Sequence, residues 1–321
     1  MTAWCWELRQ MFPISSLPYN AGVAERDFKY YIFDWDDNIL HMPTRIHLEH
    51  QEDDGTWRPV TVSTSLFAVV RTDSRYRLPE KGGRKEAFIE FQDTPQDRGR
   101  QFLLDTAAAL RRISEGEKPG PSFETMRRTL VEGRVFAIVT ARGHASSTLR
   151  RAVRLFIDTV LTPEERETMM CNLRGYRVWL DKVTEFGSDD EELDYYLSMC
   201  RFHAVTNADF WDQMESDPDF GSRLLATPTE QRHEMAKKFA IHDFVEHVFH
   251  MLERTGGFVR PVAIGFSDDD LGNVRAVADY VTSELSSHFP GIKFVVYDTS
   301  DASLSRGRKV VVAGQLNLPG F

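Results

Sequence analysis

Residues Tyr30 to Met42 read YYIFDWDDNILHM: an apolar and aromatic run, then Asp34, Asp36 and Asp37 within four positions, then apolar residues again. A run of β-branched and aromatic residues like this one is typical of a buried parallel strand. Carboxylates this close repel one another, and the pKa of at least one of them rises unless a cation or a proton transfer requires them together. The stretch therefore predicts a strand that delivers acids to a metal site, to a reactive site, or to both.

The composition describes a folded globular chain. Its 321 residues exceed one average domain, so one domain with sizeable insertions or two domains are expected. The net charge of -10 disfavours a nucleic-acid partner, because proteins that bind phosphate backbones usually carry a basic surface. No segment holds the roughly 18 consecutive apolar residues of a membrane span, and the first residues lack the basic and apolar regions of a secretory signal. We therefore expect no membrane partner and a cytoplasmic location.

Strands alternate with helices along the sequence. The hydrophobic patterns predict strands over 28–34, up to Thr140, up to Asp268 and over 291–300, and helices over 95–114, 123–132, 145–161 and 229–254. Asp-Asp-Gly after Glu52 predicts a hairpin between two alternating segments. Residues 162–227 give mixed signals and are interpreted as a less regular insertion. The alternation predicts a doubly wound α/β fold with a parallel sheet, whose ligand site lies at the carboxyl ends of the strands.

Polar groups follow three of the predicted strands. Asp34, Thr140 and the acids Asp268, Asp269 and Asp270 each come directly after an apolar run, so a parallel sheet brings them to one rim. Asp34 and Asp36 share a face of the extended chain, which suits a nucleophile and a separate acid/base. The turn after Thr140 has backbone N–H groups suited to an anion. The third strand end offers the hard oxygen ligands that favour magnesium.

Taken together, these motifs resemble the haloacid dehalogenase (HAD) superfamily, in its aspartyl-phosphate-forming phosphatase branch. The first motif of the family corresponds to DWDDN at Asp34, the second to FAIVT at Thr140, and the fourth to the acidic strand end GFSDDDLGN. For the third, a lysine on a helix, MAKKFAI offers Lys237 or Lys238. The ordered set covers most of the chain, from about residue 28 to residue 300.

The resemblance implies a role for each of these residues. Asp34 is expected to attack phosphorus and Asp36 to act as acid and then base. Thr140 and one of the two lysines are expected to stabilise the phosphoryl group. The implied cofactor is Mg²⁺, held by Asp34, Asp36 through its main-chain carbonyl, and Asp268 or Asp269. The predicted substrate contacts are Asn38, Ala141 and Arg142.

Two departures from the family pattern affect this assignment. Asn38 stands where Thr or Val is usual, and Asp37 stands where a small residue is common. Three successive acids, Asp268 to Asp270, leave the choice of metal ligands open. Retention of Asp36 favours a phosphatase over a dehalogenase, because a halide leaves without a proton.

The resemblance also predicts a domain organisation with cap insertions, which in this family close the site and select the substrate. The predicted parts are a discontinuous catalytic core at 28–42, 122–161 and 228–300, a flap and cap insertion at 43–121, a second insertion at 162–227, and terminal extensions at 1–27 and 301–321.

The predicted function is that of a magnesium-dependent hydrolase, a phosphatase acting on a small phosphomonoester such as a sugar phosphate or a nucleotide. Alternatives are a phosphotransferase or phosphoprotein phosphatase on the same fold, a regulatory module resembling a receiver domain, and a chain that binds phosphate and metal without turnover. The oligomeric state and the identity of the substrate are left open by the sequence.

Overall fold

The fold is built on nine strands within the described residues. The structure, a computed structural model, describes residues 27–183, 185–254, 261–301, 303–304 and 306–314. The strands are β1 Phe28–Phe33, β2 Ile46–Gln51, β3 Trp57–Val62, β4 Tyr76–Arg77, β5 Phe136–Thr140, β6 Arg201–Ala204, β7 Val262–Asp268, β8 Ile292–Asp298 and β9 Arg308–Ala313. Six of them form a central sheet in the order β6-β5-β1-β7-β8-β9, and three form a smaller sheet in the order β3-β2-β4.

The central sheet is parallel except at one edge. β1 lies between β5 and β7 and is parallel to both, β6 and β8 extend the sheet in parallel, and β9 is antiparallel to β8. Numbered in chain order, the five parallel strands have the spatial order 3-2-1-4-5, which is that of a Rossmann-like sheet. The predicted α/β class with a mostly parallel sheet is thus confirmed. The chain order reverses between β1 and β7, and ligands of such sheets bind outside the carboxyl ends of the strands at this switch point.

Helices flank the central sheet and the smaller sheet. They are α1 Thr64–Val70, α2 Gly83–Ala87, α3 Arg100–Ser114, α4 Phe123–Val131, α5 Ser146–Val160, α6 Pro163–Asp181, α7 Asp189–Met199, α8 Ala208–Ser216, α9 Pro218–Ala226, α10 Arg232–Glu253, α11 Leu271–Tyr280 and α12 Ser286–His288. The strands β1, β5 and β7 and most of the helices contribute to one continuous hydrophobic core. Within the described residues no helix is both long and apolar enough to cross a membrane.

Two segments differ from their sequence-based description. Residues 162–227, expected to be less regular, contain four helices and the edge strand β6 of the central sheet. Within the expected terminal extension 301–321, β9 forms the opposite edge. β6 has only four residues and β9 has no buried residue, so neither shows the long buried apolar pattern of the central strands. The expected N-terminal extension lies outside the described residues except for residue 27.

The smaller sheet contains the predicted hairpin, formed by β2 and β3. It has a hydrophobic cluster of its own, which includes Ile46, Leu48 and Val62. Helix α3, also within the range 43–121, instead contributes Phe102 and Leu110 to the main core. Only the first part of that range therefore has a separate core.

Candidate active site

The carboxyl ends of β1, β5 and β7 meet at the switch point of the sheet. Phe33 is paired with Ile138 on one side and with Ser267 on the other. The next residue, Asp34, donates its backbone N–H to the Ser267 carbonyl, at 3.1 Å. This register places Asp34 beside the end of β7, where Asp268 lies, and Thr140 at the end of the other neighbouring strand, as the sequence predicted.

Three carboxylates gather at this point. Asp34, Asp268 and Asp269 each present an oxygen within 4.8 Å of the other two. Burial, and after it the neighbouring Asp268 charge, raises the pKa of Asp34 well above its usual range. The same two causes raise the pKa of Asp269 to about 8. Like charges in a buried site favour the protonated forms. A cation bound between these carboxylates would offset their repulsion and favour the ionised forms.

The cluster has the donors that a magnesium ion requires. Mg²⁺ takes oxygen ligands at about 2.0–2.1 Å, so opposite ligands stand about 4.2 Å apart. The three oxygens all lie within 4.8 Å of one another, which brings them near the spacing of ligands around one ion. Asp34, Asp268 and Asp269 could therefore supply three oxygen ligands to a hard divalent cation.

Within the described residues, the Lys237 side chain provides a positive charge to the carboxylate cluster. Its Nζ lies 2.7 Å from Asp268 Oδ2, and both side chains are buried. Burial opposes the charge of Lys237, but the Asp268 and Asp34 carboxylates outweigh it and raise the pKa of the lysine. Lys238 instead forms an ion pair with Glu234, one helical turn away, at 3.3 Å. Of the two predicted lysines, the structure brings Lys237 to the acids.

The three successive acids after β7 have separate surroundings. Asp270 caps helix α11, accepting the backbone N–H groups of Gly272 and Asn273 at 2.7 and 3.3 Å. It also forms an ion pair with Arg71, at 3.1 Å. Asp268 and Asp269 are the pair that joins Asp34, so the structure divides the run into one capping acid and two acids of the cluster.

Asn38 holds the loop after β1 to the rest of the sheet. Its side chain is fully buried, at 0% exposure. Its amide nitrogen donates to the carbonyls of Asp34 and Ser267, at 3.0 and 3.2 Å, and to Ser267 Oγ at 3.1 Å. Thr299 Oγ1 donates to its amide oxygen at 2.8 Å. The side chain predicted to contact substrate is thus engaged within the fold, and its effect on the site is to fix the Asp34 backbone.

Arg142, a second predicted substrate contact, lies against the acid/base candidate. Its Nε and Nη2 donate to the two carboxylate oxygens of Asp36, at 2.8 and 2.6 Å. Arg142 is 1% exposed. The preceding Ala141 is exposed on the same loop, where Thr206 Oγ1 donates to its carbonyl at 3.1 Å. Of this loop, Ala141 is open to solvent and Arg142 is enclosed.

Asp37 connects the site loop to the smaller sheet. It has a positive φ of 52°, and its carboxylate accepts hydrogen bonds from Thr64 Oγ1 at 2.6 Å and from the His41 ring at 2.8 Å. That hydrogen bond raises the pKa of His41. Thr64 opens α1, so the segment that follows the small hairpin is bonded directly to the loop that carries Asp34.

Several residues near the site were missed by sequence reasoning. Ser267 and Thr299 bind Asn38, and Asp93 and His144 continue the contacts of Arg142. They carry no local motif, because their partners lie far away in the sequence. The one available signal was the position of Ser267 directly before the acidic run.

No protein family profile, no curated protein and no solved structure matches this chain. The fold and site nevertheless define a class: an α/β chain with a Rossmann-like sheet and a carboxylate cluster with one buried lysine at the switch point.

Proposed function

We propose that this chain is a magnesium-dependent phosphatase that hydrolyses a small phosphomonoester through a phosphorylated Asp34, as the resemblance to the HAD superfamily implies. The observation that carries the proposal is the cluster of Asp34, Asp268 and Asp269, with Lys237 paired to it, at the switch point of the sheet. Carboxylates and a lysine that converge where parallel sheets bind ligands suit a reaction in which anionic charge must be neutralised.

The proposed reaction has two steps. In the first, an Asp34 oxygen forms a bond to phosphorus while the ester P–O bond breaks, and the departing oxygen takes a proton from Asp36. In the second, water attacks phosphorus and gives its proton to Asp36, and the electron pair of the broken P–O bond returns to Asp34. Both steps depend on positioning and on charge stabilisation more than on covalent chemistry by other residues.

The remaining residues neutralise charge. Lys237 and the Thr140 hydroxyl are assigned to the oxygens of the phosphoryl group, and the backbone N–H groups of the loop at Ala141 to the same anion. Asp34, Asp268 and Asp269 would hold a magnesium ion, whose positive charge would offset the charge of the phosphoryl group and favour the ionised form of Asp34. That assignment explains why the site contains more buried carboxylates than one lysine can neutralise.

The smaller sheet and α1 are assigned to a cap over this site. Two of their contacts reach the rim: Thr64 with Asp37, and Arg71 with Asp270. A cap bonded to the rim beside the acids would restrict access to them, which favours a small phosphorylated metabolite over a phosphoprotein. The receiver-like alternative loses support because receivers have the spatial order 2-1-3-4-5, and this sheet has 3-2-1-4-5.

The proposal is tested by measuring phosphate release from a panel of phosphomonoesters with and without Mg²⁺, in the native chain and in Asp34→Asn. Asp298→Asn is a matched control, because Asp298 ends the neighbouring strand β8 and its carboxylate is bound by Ser300 and Arg308. Metal-dependent release that is lost only in Asp34→Asn is expected. Release that survives in Asp34→Asn, or no release from any ester, would contradict the proposal.

A further inference from the structure

Arg142 is a buried cation whose donors are almost fully used. A guanidinium has five N–H donors. Two of its nitrogens bind the Asp36 carboxylate, Nη2 also donates to Thr44 Oγ1 at 2.9 Å, and Nη1 donates to His144 Nε2 at 3.3 Å. Four of the five donors therefore have partners within the protein, which leaves little capacity for a direct contact with substrate.

The surroundings of Arg142 fix the orientation of its guanidinium group. The guanidinium carbon lies 4.6 Å from the ring centres of both Phe91 and Phe102. Thr44 Oγ1, having accepted from Arg142, donates to Asp105 Oδ2 at 2.8 Å. A planar cation between two aromatic faces, with bonded partners along its edge, has one favoured orientation.

A neutral histidine completes this arrangement. Because His144 Nε2 accepts from Arg142, its proton lies on Nδ1, which donates to Asp93 Oδ1 at 2.8 Å. Burial, and after it the Arg142 charge, lowers the pKa of His144 to about 4. Asp93 is held in turn by the Ala145 N–H and the Thr148 hydroxyl, at 2.9 and 2.8 Å. The chain Asp93–His144–Arg142–Asp36 thus connects the start of α5 to the loop after β1.

The clamp on Asp36 is compatible with a role in proton transfer. Each carboxylate oxygen has two lone-pair directions, so an oxygen that accepts one N–H from Arg142 still has a second direction free. Asp36 is partly exposed, whereas Arg142 is not. The carboxylate can therefore keep the arginine and still reach a group in the site.

We propose that Arg142 is a positioning residue that aims the Asp36 carboxylate at the leaving-group oxygen and at the attacking water, and that it does not bind the substrate. This inference rests on the proposed function, because it assigns Arg142 to the two proton transfers of that reaction. We therefore expect loss of Arg142 to slow only the steps in which Asp36 transfers a proton.

Two probe substrates separate these steps. Glycerol 2-phosphate has an alkoxide leaving group that requires a proton, whereas the p-nitrophenolate of p-nitrophenyl phosphate leaves without one. In Arg142→Gln and Arg142→Lys, kcat for glycerol 2-phosphate is expected to fall by about 100-fold or more, the usual size of acid/base catalysis. KM is expected to change by less than about threefold, because binding is not affected.

With p-nitrophenyl phosphate the same variants are expected to show a burst. Phosphorylation of Asp34 continues, so about one equivalent of p-nitrophenolate per site is released quickly. Turnover is then slow, because the second step needs Asp36 to take a proton from water. In an Asp36→Asn background, Arg142→Gln is expected to add less than about a threefold further loss, since the residues act as a unit.

A control separates this role from general damage. Arg134→Gln removes another buried arginine, which binds Glu132 just before the first residue of β5. If this variant has any effect, it should lower the rates with both substrates equally, burst included. Absence of the p-nitrophenolate burst in Arg142→Lys, or a raised KM with unchanged kcat, would overturn the inference. If the native chain releases phosphate from no ester of the panel, these two probes included, the proposed function fails and the inference fails with it.

Discussion

Lys237 and Lys238 are neighbours in the chain with opposite surroundings. Adjacent residues on a helix point about 100° apart, so on α10 only one of the two can face the acids. Lys237 does so and is buried, and Lys238 is half-buried beside Glu234. The charge of Lys237 therefore interacts with the carboxylate cluster, and the charge of Lys238 with Glu234 on the same helix.

We therefore predict different effects of Lys237→Met and Lys238→Met. Loss of Lys237 removes the buried positive charge beside Asp34 and should lower phosphate release by about 100-fold or more. Phosphate release by Lys238→Met, the matched control, should stay within about threefold of the native rate, because an ion pair one turn apart along a helix contributes little. Comparable rates for the two variants would remove Lys237 from the mechanism.

His144 gives the folded protein a dependence on pH. Its pKa is lowered to about 4 in the folded chain, against an ordinary value of about 6.5. Between these values the unfolded chain binds a proton that the folded chain does not, so stability falls as the pH decreases from about 6.5 to about 4, by at most about 1.4 kcal/mol per pH unit.

His144→Gln tests this dependence, because glutamine can donate to Asp93 and accept from Arg142 without titrating. The free energies of unfolding of the native chain and the variant, measured in urea between pH 7 and pH 4.5, should converge as the pH falls. Substitution of the exposed His250 by Gln is the control for loss of a histidine elsewhere in the chain. Parallel curves for the native chain and His144→Gln would refute the assignment.

At the scale of elements, the connection between α3 and α4 packs directly on the loop after β1. The Gly120 N–H donates to the Ile39 carbonyl at 3.1 Å, and the Ser122 N–H donates to the Asn38 carbonyl at 2.8 Å. A Cβ at Gly120 would lie 2.5 Å from the Asn38 carbonyl oxygen and 2.6 Å from its carbon. Both are backbone atoms, so the loop itself would have to move.

Gly120→Ala should consequently destabilise the chain by about 1–3 kcal/mol and lower magnesium-dependent phosphate release, because the displaced loop carries Asp34 and Asp36. Gly116→Ala, in the same connection, is the comparison: Gly116 has a φ of 106° but no atom within 4 Å of an added Cβ. Its cost is backbone strain of about 1–3 kcal/mol, without loss of activity per folded molecule. Full activity in Gly120→Ala would show that the loop tolerates the shift.

Sequence reasoning succeeded for elements with long apolar patterns. β1, β5, β7 and β8 and helices α3, α5 and α10 lie close to their predicted ranges, since buried strands and amphipathic helices have a strong periodicity. It failed for β6, whose four residues RFHA include an arginine and a histidine. An edge strand of that length is defined by its pairing with β5, and pairing is invisible in a local pattern.

For the whole molecule, Mg²⁺ should act as a stabilising ligand. An ion that binds the folded chain alone adds about 2.7 kcal/mol at a hundred times its Kd, which corresponds to a rise in Tm of about 5 °C. We predict such a rise for the native chain and none for Asp269→Asn, measured by thermal unfolding in EDTA and in excess Mg²⁺. Asp298→Asn should keep the rise, and an equal rise in all three would place the ion elsewhere.

The convergence of strand ends on one rim was predictable, because parallel strands end at the same edge of a sheet. The partner of each residue on that rim could not be predicted. Arg142 was interpreted as a substrate contact because it follows the Thr140 motif, and only the fold shows that it meets Asp36, a residue 106 positions away. Asn38 was assigned in the same way, and only the packed structure shows it bonded to Ser267 and Thr299.

The central place of β1 in the sheet affects how the chain is synthesised. β1 ends at Phe33 and its neighbour β7 starts at Val262, so 229 residues (262 − 33) separate them. At about 5–20 residues per second, a ribosome needs roughly 11–46 seconds to add that length. One edge of an aromatic and apolar strand stays unpaired on the nascent polypeptide throughout this interval. The acids of the site therefore assemble only after β7 has been translated, and until then the unpaired edge of β1 is exposed to pairing with other chains.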